Sequence, residues 1–244
     1  MTRSVNRALE IVYLLLSDNS KKGWQISEIA ENLKLPLSTT HRLIGTLIEH
    51  KLITQSIDTK RYLIGPRWLE IGLLQLEKMD LRTIARPIME RLSYEVKESV
   101  YLSIPDDYFS FPIERIDSPM KVRIVENLGE RIPMNIGAPN KVMLAHMASS
   151  KVEEILTKLL QTKEERREFL EALKQIRSAG YSISVAEKTE GTVSIAAVIK
   201  EFDNQVAGAI SIGLLSHDLS EKRVAELSNA VIRCADEISA RLGG

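Results

Sequence analysis

Leu35-Pro36-Leu37-Ser38-Thr39-Thr40-His41-Arg42-Leu43-Ile44-Gly45-Thr46-Leu47 is the stretch on which the fold turns. Leu35-Pro36-Leu37 interrupts one helix, and Ser38 restarts another that runs to about His50, with Leu43, Ile44, Leu47 and Ile48 on its inner face. Just upstream, Ser27 is expected to cap a brief helix through Asn32 that buries Ile26, Ile29, Ala30 and Leu33. Two short helices joined this tightly predict a helix-turn-helix, whose second helix offers short polar side chains to DNA while its other face packs on the first. Ser38, Thr39, Thr40, His41 and Arg42 stand at the amino end of that second helix. Hydroxyls and a helix N-terminus suit phosphate oxygens, and Arg42 suits phosphate or guanine. The competing reading makes Ser-Thr-Thr a plain cap and pairs Arg42 with Glu31 or Glu49.

The flanks extend this pattern. Val5, Ala8, Leu9, Val12, Leu15 and Leu16 repeat at helical spacing behind Ser4 as N-cap, and that helix is expected to stop at the turn-forming Asp18-Asn19-Ser20. Gly23-Trp24-Gln25 reads as a short strand or a bend. Downstream, Leu52 to Gln55 and Arg61 to Ile64 read as a hairpin around residues 56–60, a wing beside the helix pair. Lys60 and Arg61 on it are placed to touch the DNA backbone or minor groove, or else form a solvated tip. Residues 1–66 hold nine Lys/Arg against six Asp/Glu, whereas the remainder holds 24 against 27, so a net charge of zero hides a basic front and an acidic back.

From Pro66, expected at the first helical position, Trp68, Leu69, Ile71, Leu73, Leu74 and Leu76 make an apolar helix suited to burial against a partner. A second helix spans about Leu81 to Lys97, kinked at Pro87 or beginning near Arg86. Strands are then predicted at Val100 to Ile104, Phe109 to Ile116 and Val122 to Glu126. Helices follow at Asn140 to Ala148, Val152 to Leu160 and Lys163 to Ser178, and strands again at Tyr181 to Val185, Val193 to Ile199 and Gln205 to Gly213. A long amphipathic helix, Ser220 to Leu242, closes the chain. The expected fold is α+β in two domains: a winged helix-turn-helix over 1–66, a helical connector over 67–80, and a domain with a mixed or antiparallel sheet over 81–244.

Composition narrows the function classes. An apolar share of 44% against 27% charged residues allows a buried core, and no run approaches the ~18 apolar residues of a membrane span. No signal-peptide pattern opens the chain, so a cytoplasmic location is expected. Cys234, the only cysteine, rules out an internal disulfide and a cysteine-cluster zinc site, and its helical setting makes it a small core residue. His146 and His217 lack the close spacing of a metal pair, so no metal and no cofactor are expected. Glu187 reads as lining a pocket or pairing locally with Lys188 or Arg177, with the structural role favoured. An enzyme is disfavoured by the absence of a Ser-His-acid set and of a phosphate loop. A third class, an interaction module without DNA reading, stays open.

Ser4-Val5-x-Arg7-Ala8-Leu9, Ile26 to Leu33, the Leu35–Leu47 stretch and Arg61-Tyr62-x-x-Gly65-Pro66-Arg67 resemble the IclR family of bacterial regulators. So do Arg123 through Ile132-Pro133-Met134, Lys141-x-x-Leu144-Ala145, Ile176-Arg177-x-x-Gly180-Tyr181-Ser182, Glu187, Gly191, Ile195-Ala196-Ala197 and Ala209-Ile210-Ser211-Ile212. The resemblance implies a GAF-like effector-binding domain behind the winged helix, a homodimer or homotetramer on double-stranded operator DNA, and a small-molecule effector, often a carboxylate or an aromatic. Carried over, its pocket comprises the Ala138-Pro139 loop, Ser184, Ser194, Ser211 and Gly213, with Ile124 and Ile132 as apolar wall. Two departures stand out. Pro139 has no N–H to donate, and Ser184 replaces an acid. These imply a different effector or an inactive pocket. Asn140 then serves as a replacement donor or as a helix cap.

Overall fold

The computed structural model describes residues 3–18 and 20–243. Asn19 of the predicted turn, the first two residues and Gly244 lie outside the described residues. The chain divides into two compact units, residues 1–78 and 79–244.

The first unit contains α1 (Arg3–Leu16), α2 (Ile26–Asn32), α3 (Leu37–Glu49), β1 (Ile53–Gln55), β2 (Tyr62–Ile64) and α4 (Arg67–Glu77). Its core is Ile11, Val12, Leu15, Trp24, Ile29, Leu35, Leu43, Ile44, Leu47, Ile53 and Tyr62. The helix starts differ from expectation. Gln25 rather than Ser27 caps α2, with the Gln25 N–H donating to Glu28 Oε2 at 2.7 Å. Ser4 and Ser38 lie inside their helices, and Pro36 is the N-cap of α3. Pro66 is likewise the cap of α4 rather than its first residue. Trp24 forms an isolated bridge to Tyr62, which hangs the 23–25 bend on the wing.

Gly65 makes the return from wing to α4 possible. Its N–H donates to the Leu52 carbonyl at 2.9 Å. A Cβ there would sit 2.1 Å from the Lys51 carbonyl oxygen. The Trp68 indole N–H then donates to the same Leu52 carbonyl at 2.9 Å, tying the first turn of α4 to β1.

The second unit opens with α5 (Asp80–Val96), followed by β3 (Ser99–Asp106), β4 (Phe109–Ile116), β5 (Ile132–Pro133), α6 (Ala138–His146), α7 (Ser149–Leu159), α8 (Lys163–Ala179), β6 (Ser182–Val185), β7 (Thr192–Lys200), β8 (Val206–Leu215) and α9 (Glu221–Arg241). Among the described residues the strands form one antiparallel sheet, ordered β5-β4-β3-β8-β7-β6. Pro87 does not break α5, which is a single helix. A proline in a helix interior costs ~3 kcal/mol. Leu81, Ala85, Ile88, Met89, Leu92 and Val96 are buried along one stripe of α5, and each large apolar side chain buried contributes about 1.5–3 kcal/mol. Packing prevails, and Pro87 sits on the exposed side.

Strand register gives the sheet two unlike faces. Val100, Leu102, Ile210, Ile212 and Ile195 share one face, which packs on α5 and α9. The rows Ser99–Gly213–Ser194–Ser184 and Tyr101–Ser211–Ala196–Ser182 share the other, which packs on α6. One predicted strand does not exist. Residues 122–126 make no ladder, because their carbonyls are taken by side chains: Ser99 and Tyr101 hydroxyls donate to Ile124 at 2.9 and 2.7 Å, and Arg115 to Glu126 at 2.7 Å. β5 and its pairing with β4 were not anticipated, and α6 begins at Ala138 rather than Asn140.

Both tryptophans, Trp24 and Trp68, lie in the first unit, so tryptophan fluorescence follows that unit alone. A glycine-to-alanine change at a permissive site stabilises by about 0.4–1 kcal/mol, and at an incompatible one it destabilises by more than that. Gly65→Ala is expected to lower the fluorescence-monitored melting temperature, whereas an unchanged or raised value contradicts the close contact at Lys51.

Candidate DNA-binding face and ligand cavity

The amphipathic period of α3 sorts its residues into two sets. Thr40, Leu43, Ile44 and Leu47 point inward, while Ser38, His41, Arg42, Gly45, Thr46 and Glu49 are exposed. Thr40 therefore departs from the expected DNA contacts. It is fully buried, and its hydroxyl donates back to the Pro36 carbonyl at 3.2 Å. Thr39 is half-buried beside it. Arg42 has no ion-pair partner among the described residues, so neither Glu31 nor Glu49 neutralises it. Pro36 supplies no side-chain cap, which leaves the first amides of α3 for an outside acceptor such as phosphate.

The wing assigns its two basic residues different tasks. Lys60 is exposed at the tip, in left-handed backbone with φ 56°. Arg61 is partly committed within the unit through one guanidinium nitrogen. It donates to the Gly23 carbonyl at 2.8 Å and lies 3.5 Å from Glu28, which also holds Lys21 at 3.0 Å. These bonds fasten the wing to the start of α2. The Gln25 amide and the Lys21 ammonium together hold the Glu28 carboxyl below its usual range. Two positions escaped the sequence reading. Gly45 faces outward on α3 with nothing within 4 Å of where a Cβ would stand. Ile57 is 85% exposed at the wing tip. An unexplained glycine inside a helix and a lone isoleucine in a polar turn were the signals available for both.

In the second unit, a cavity of about 40 Å³ lies on the small-residue face of the sheet. Ile124, Ile132, Asn140, Ser184, Ser194, Ser211 and Gly213 all line it, together with Tyr101, Ile136, Gly137, Pro139 and Glu187. Ala138 does not. It is fully buried at the start of α6 and belongs to the core beneath that helix. Gly213 keeps the space open, since a Cβ there would come within 3.2 Å of the Tyr101 ring. Burial pushes the Tyr101 phenol up to about 12, so it remains a neutral donor to Ile124.

Asn140 lines this cavity but has no donor to spare for a ligand. Its amide donates to the carbonyls of Pro133 and Ile136, each at 2.9 Å, and approaches that of Ile132 at 3.4 Å, while its oxygen accepts from Ser110. The expected replacement donor is thus a staple joining β4, β5 and the loop to α6. Glu187 likewise pairs neither with Lys188 nor with Arg177. Its carboxylate accepts the Gly137 N–H at 2.9 Å and the ammonium of Lys141. Lys188 instead reaches Glu130 at 3.2 Å and Glu126 at 3.6 Å. Ser184 and Ser211 are more than nine-tenths buried, and no described group bonds their hydroxyls.

No set of His, Cys, Asp and Glu among the described residues is arranged to hold a metal ion. No helix among them is long and apolar enough to cross a membrane. Cys234 is buried on α9, and burial raises its thiol above the usual range.

Removing the Asn140 side chain strips partners from a buried hydroxyl and from carbonyls that water reaches poorly. Each such loss costs ~1–3 kcal/mol. Asn140→Ala is expected to lower stability by at least about 2 kcal/mol in urea unfolding followed by circular dichroism. A loss below about 0.5 kcal/mol would show that the staple is dispensable.

Comparison with known proteins identifies the family. The family of bacterial transcriptional regulator IclR C-terminal domains matches residues 74–240, and the IclR helix-turn-helix domain matches residues 4–56. The chain is 28% identical over 247 residues to the HTH-type transcriptional regulator KipR of Bacillus subtilis, covering 99% of this chain and 97% of that protein. It is 28% identical over 254 residues to the transcriptional repressor IclR of Escherichia coli, covering 99% and 90%. Among solved structures, an IclR transcriptional regulator from Alicyclobacillus acidocaldarius matches all of both chains with a TM-score of 0.84 at 22% identity, and the Thermotoga maritima IclR does so with 0.76 at 23%. These relatives are transcriptional regulators rather than enzymes. With more than half of its length matched by one family and its front by the accompanying DNA-binding domain, the chain is a member of the IclR family of bacterial transcriptional regulators.

Proposed function

We propose that this regulator reads an operator through Ser38, His41 and Arg42 of α3 together with Lys60 of the wing, and that a small molecule in the cavity of the second unit modulates that binding. The observation that carries the reading is the exposed face of α3. Its hydroxyl, imidazole and unpaired guanidinium surround Gly45, on the side opposite the buried Thr40, Leu43, Ile44 and Leu47. An outward glycine in a helix interior costs roughly 0.5–1 kcal/mol relative to alanine. A helix that must let a DNA groove close to its backbone has a use for that cost.

The occupied form is a homodimer. Val5, Leu9, Tyr13 and Leu16 form an exposed apolar stripe on α1, and Leu69, Ile71, Leu73 and Leu74 are exposed on α4. A soluble domain covers faces of this kind with a partner, and two-fold pairing presents two recognition helices to half-sites about one helical turn apart. Repression is the mode named for the Escherichia coli IclR relative, and it fits a protein that occludes its operator until a ligand arrives. The present cavity holds little more than a water molecule or two. A larger ligand must part its walls, which supplies the differential affinity for two arrangements that modulation requires.

Operator binding is tested by footprinting and salt-titrated gel shifts on the DNA upstream of the chain's own gene. A footprint with two half-sites is expected, and Arg42→Ala should weaken it by about 1–3 kcal/mol or reduce the salt slope by about one. Gly45→Ala should raise the melting temperature and still weaken the operator complex. Salt-insensitive binding without sequence preference would favour an interaction module over a regulator.

The cavity is tested by thermal shift with two- to five-carbon metabolites. A specific ligand stabilises by about 2.7 kcal/mol at a hundred times its Kd. Ser211→Val, which removes one hydroxyl and adds a methyl into the space, is expected to abolish the shift. Shifts that survive the substitution place the ligand elsewhere.

A further inference from the structure

We propose that the second unit carries a further ligand site, separate from the small-residue cavity, that takes an organic phosphate with an apolar body. An open cavity of about 950 Å³ lies where the end of α5, the 119–124 loop, the end of β8 and the first turn of α9 come together. Its lining shares only Ile124 with that of the small-residue cavity. Small-molecule sites usually span ~300–1,000 Å³, and this space stands at the upper end of that range. The small-residue cavity, at about 40 Å³, admits no molecule of that kind as it stands.

The lining of the open cavity divides by chemistry. Met120, Val122, Ile124, Leu214 and Leu215 supply an apolar wall, in which Met120 and Val122 are 55% and 73% exposed. An apolar body lying there covers surface that water now wets. Around the wall stand Lys97, Lys121, Arg123 and Arg223, with Glu98 as the acid among the described lining residues. That acid is already held by Arg223 at 3.3 Å, and Arg223 also reaches Glu226 at 3.1 Å. Lys121 and Arg123 have no ion-pair partner among the described residues, and Lys97 rests on the Tyr94 ring at 3.8 Å rather than on an acid. The backbone N–H groups of residues 121–123 likewise have no acceptor among the described residues. Cations on two separate elements, with free amides between them, suit an anion that offers several oxygens at once, and phosphate is that anion.

The probe is 1-naphthyl phosphate, with 1-naphthol and inorganic phosphate as its separated halves, and binding to the full chain is followed through backbone amide signals by NMR. The probe is expected to shift Val122, Ile124 and Leu215, and to bind more tightly than either half by about tenfold or more. Lys97 and Lys121 are exposed, so replacing them leaves the core intact. Lys97→Gln combined with Lys121→Gln should weaken the probe by about tenfold and leave 1-naphthol unchanged. Ser211→Val, which alters the other cavity, should leave the probe's affinity as it was. Equal affinity in the double variant overturns the proposal, as does a lack of binding or a set of shifts centred on Gly137 and Ser211. An oligonucleotide of arbitrary sequence might compete instead: if it displaces the probe, and the probe binds no better than inorganic phosphate, the groove is a DNA-backbone contact and the proposal falls.

Discussion

The side-chain amide of Asn140 is the group on which the architecture of the second unit's cavity depends. It lies at the start of α6 and reaches the carbonyls of Ile132, Pro133 and Ile136 while accepting from Ser110. One residue thereby joins the edge pair β4–β5, the Met134–Gly137 loop and the helix that covers the sheet. A two-residue strand such as β5 contributes little cohesion of its own. Without the staple, the loop carrying Ile136 and Gly137 would keep only its backbone ties and the Gly137 bond to Glu187 to set its height above the serines. The network is fully satisfied, which is the condition under which buried polar groups rigidify a core rather than weaken it.

Small side chains on the same sheet face complete the site. Ser99, Ser211, Ser194, Ser184 and Gly213 occupy positions where larger residues would fill the volume, and the opposite face carries mostly Ile, Val and Leu. The strand sequences show this alternation openly, so both the sheet and its thin face were legible. The partners of Asn140 were not, because three of its four contacts are carbonyls that carry no sequence signature. The same holds for residues 122–126. Their β-branched Val122, Ile124 and Val125 suggest a strand, but side chains of Ser99, Tyr101 and Arg115 take up the carbonyls of Ile124 and Glu126 that a neighbouring strand would need.

In the first unit the helical period of α3 settled more than residue type did. Ser38, Thr39 and Thr40 look alike as hydroxyl residues, but the 3.6-residue repeat places Ser38 in solvent and Thr40 against Leu43 and Ile44. Counting around the helix from Leu43, Ile44 and Leu47 would have withdrawn Thr40 at once. Arg61 is a different case. Nothing local distinguishes it from Lys60, and its commitment to Gly23 and Glu28 depends on a contact with residues 33 or more positions away. Long-range pairing of that kind needs the fold before it can be read.

The face of α3 and the small-residue cavity manage charge in opposite ways, and the contrast follows from what each has to meet. On α3 the guanidinium of Arg42 is left without an acid, and the first amides lack a side-chain cap, so positive potential faces outward where a polyanion can lie. At the cavity every charged group has its counter-charge within the protein, and hydroxyls alone remain open. A DNA-reading face gains from unspent charge because water and salt screen it until phosphate displaces them. An enclosed cavity cannot hold unspent charge at comparable cost, since burial penalises an unpaired ion by several kcal/mol in real proteins. Ser184 fits the second rule: a neutral hydroxyl next to the engaged Glu187 leaves no orphaned charge when the cavity is empty.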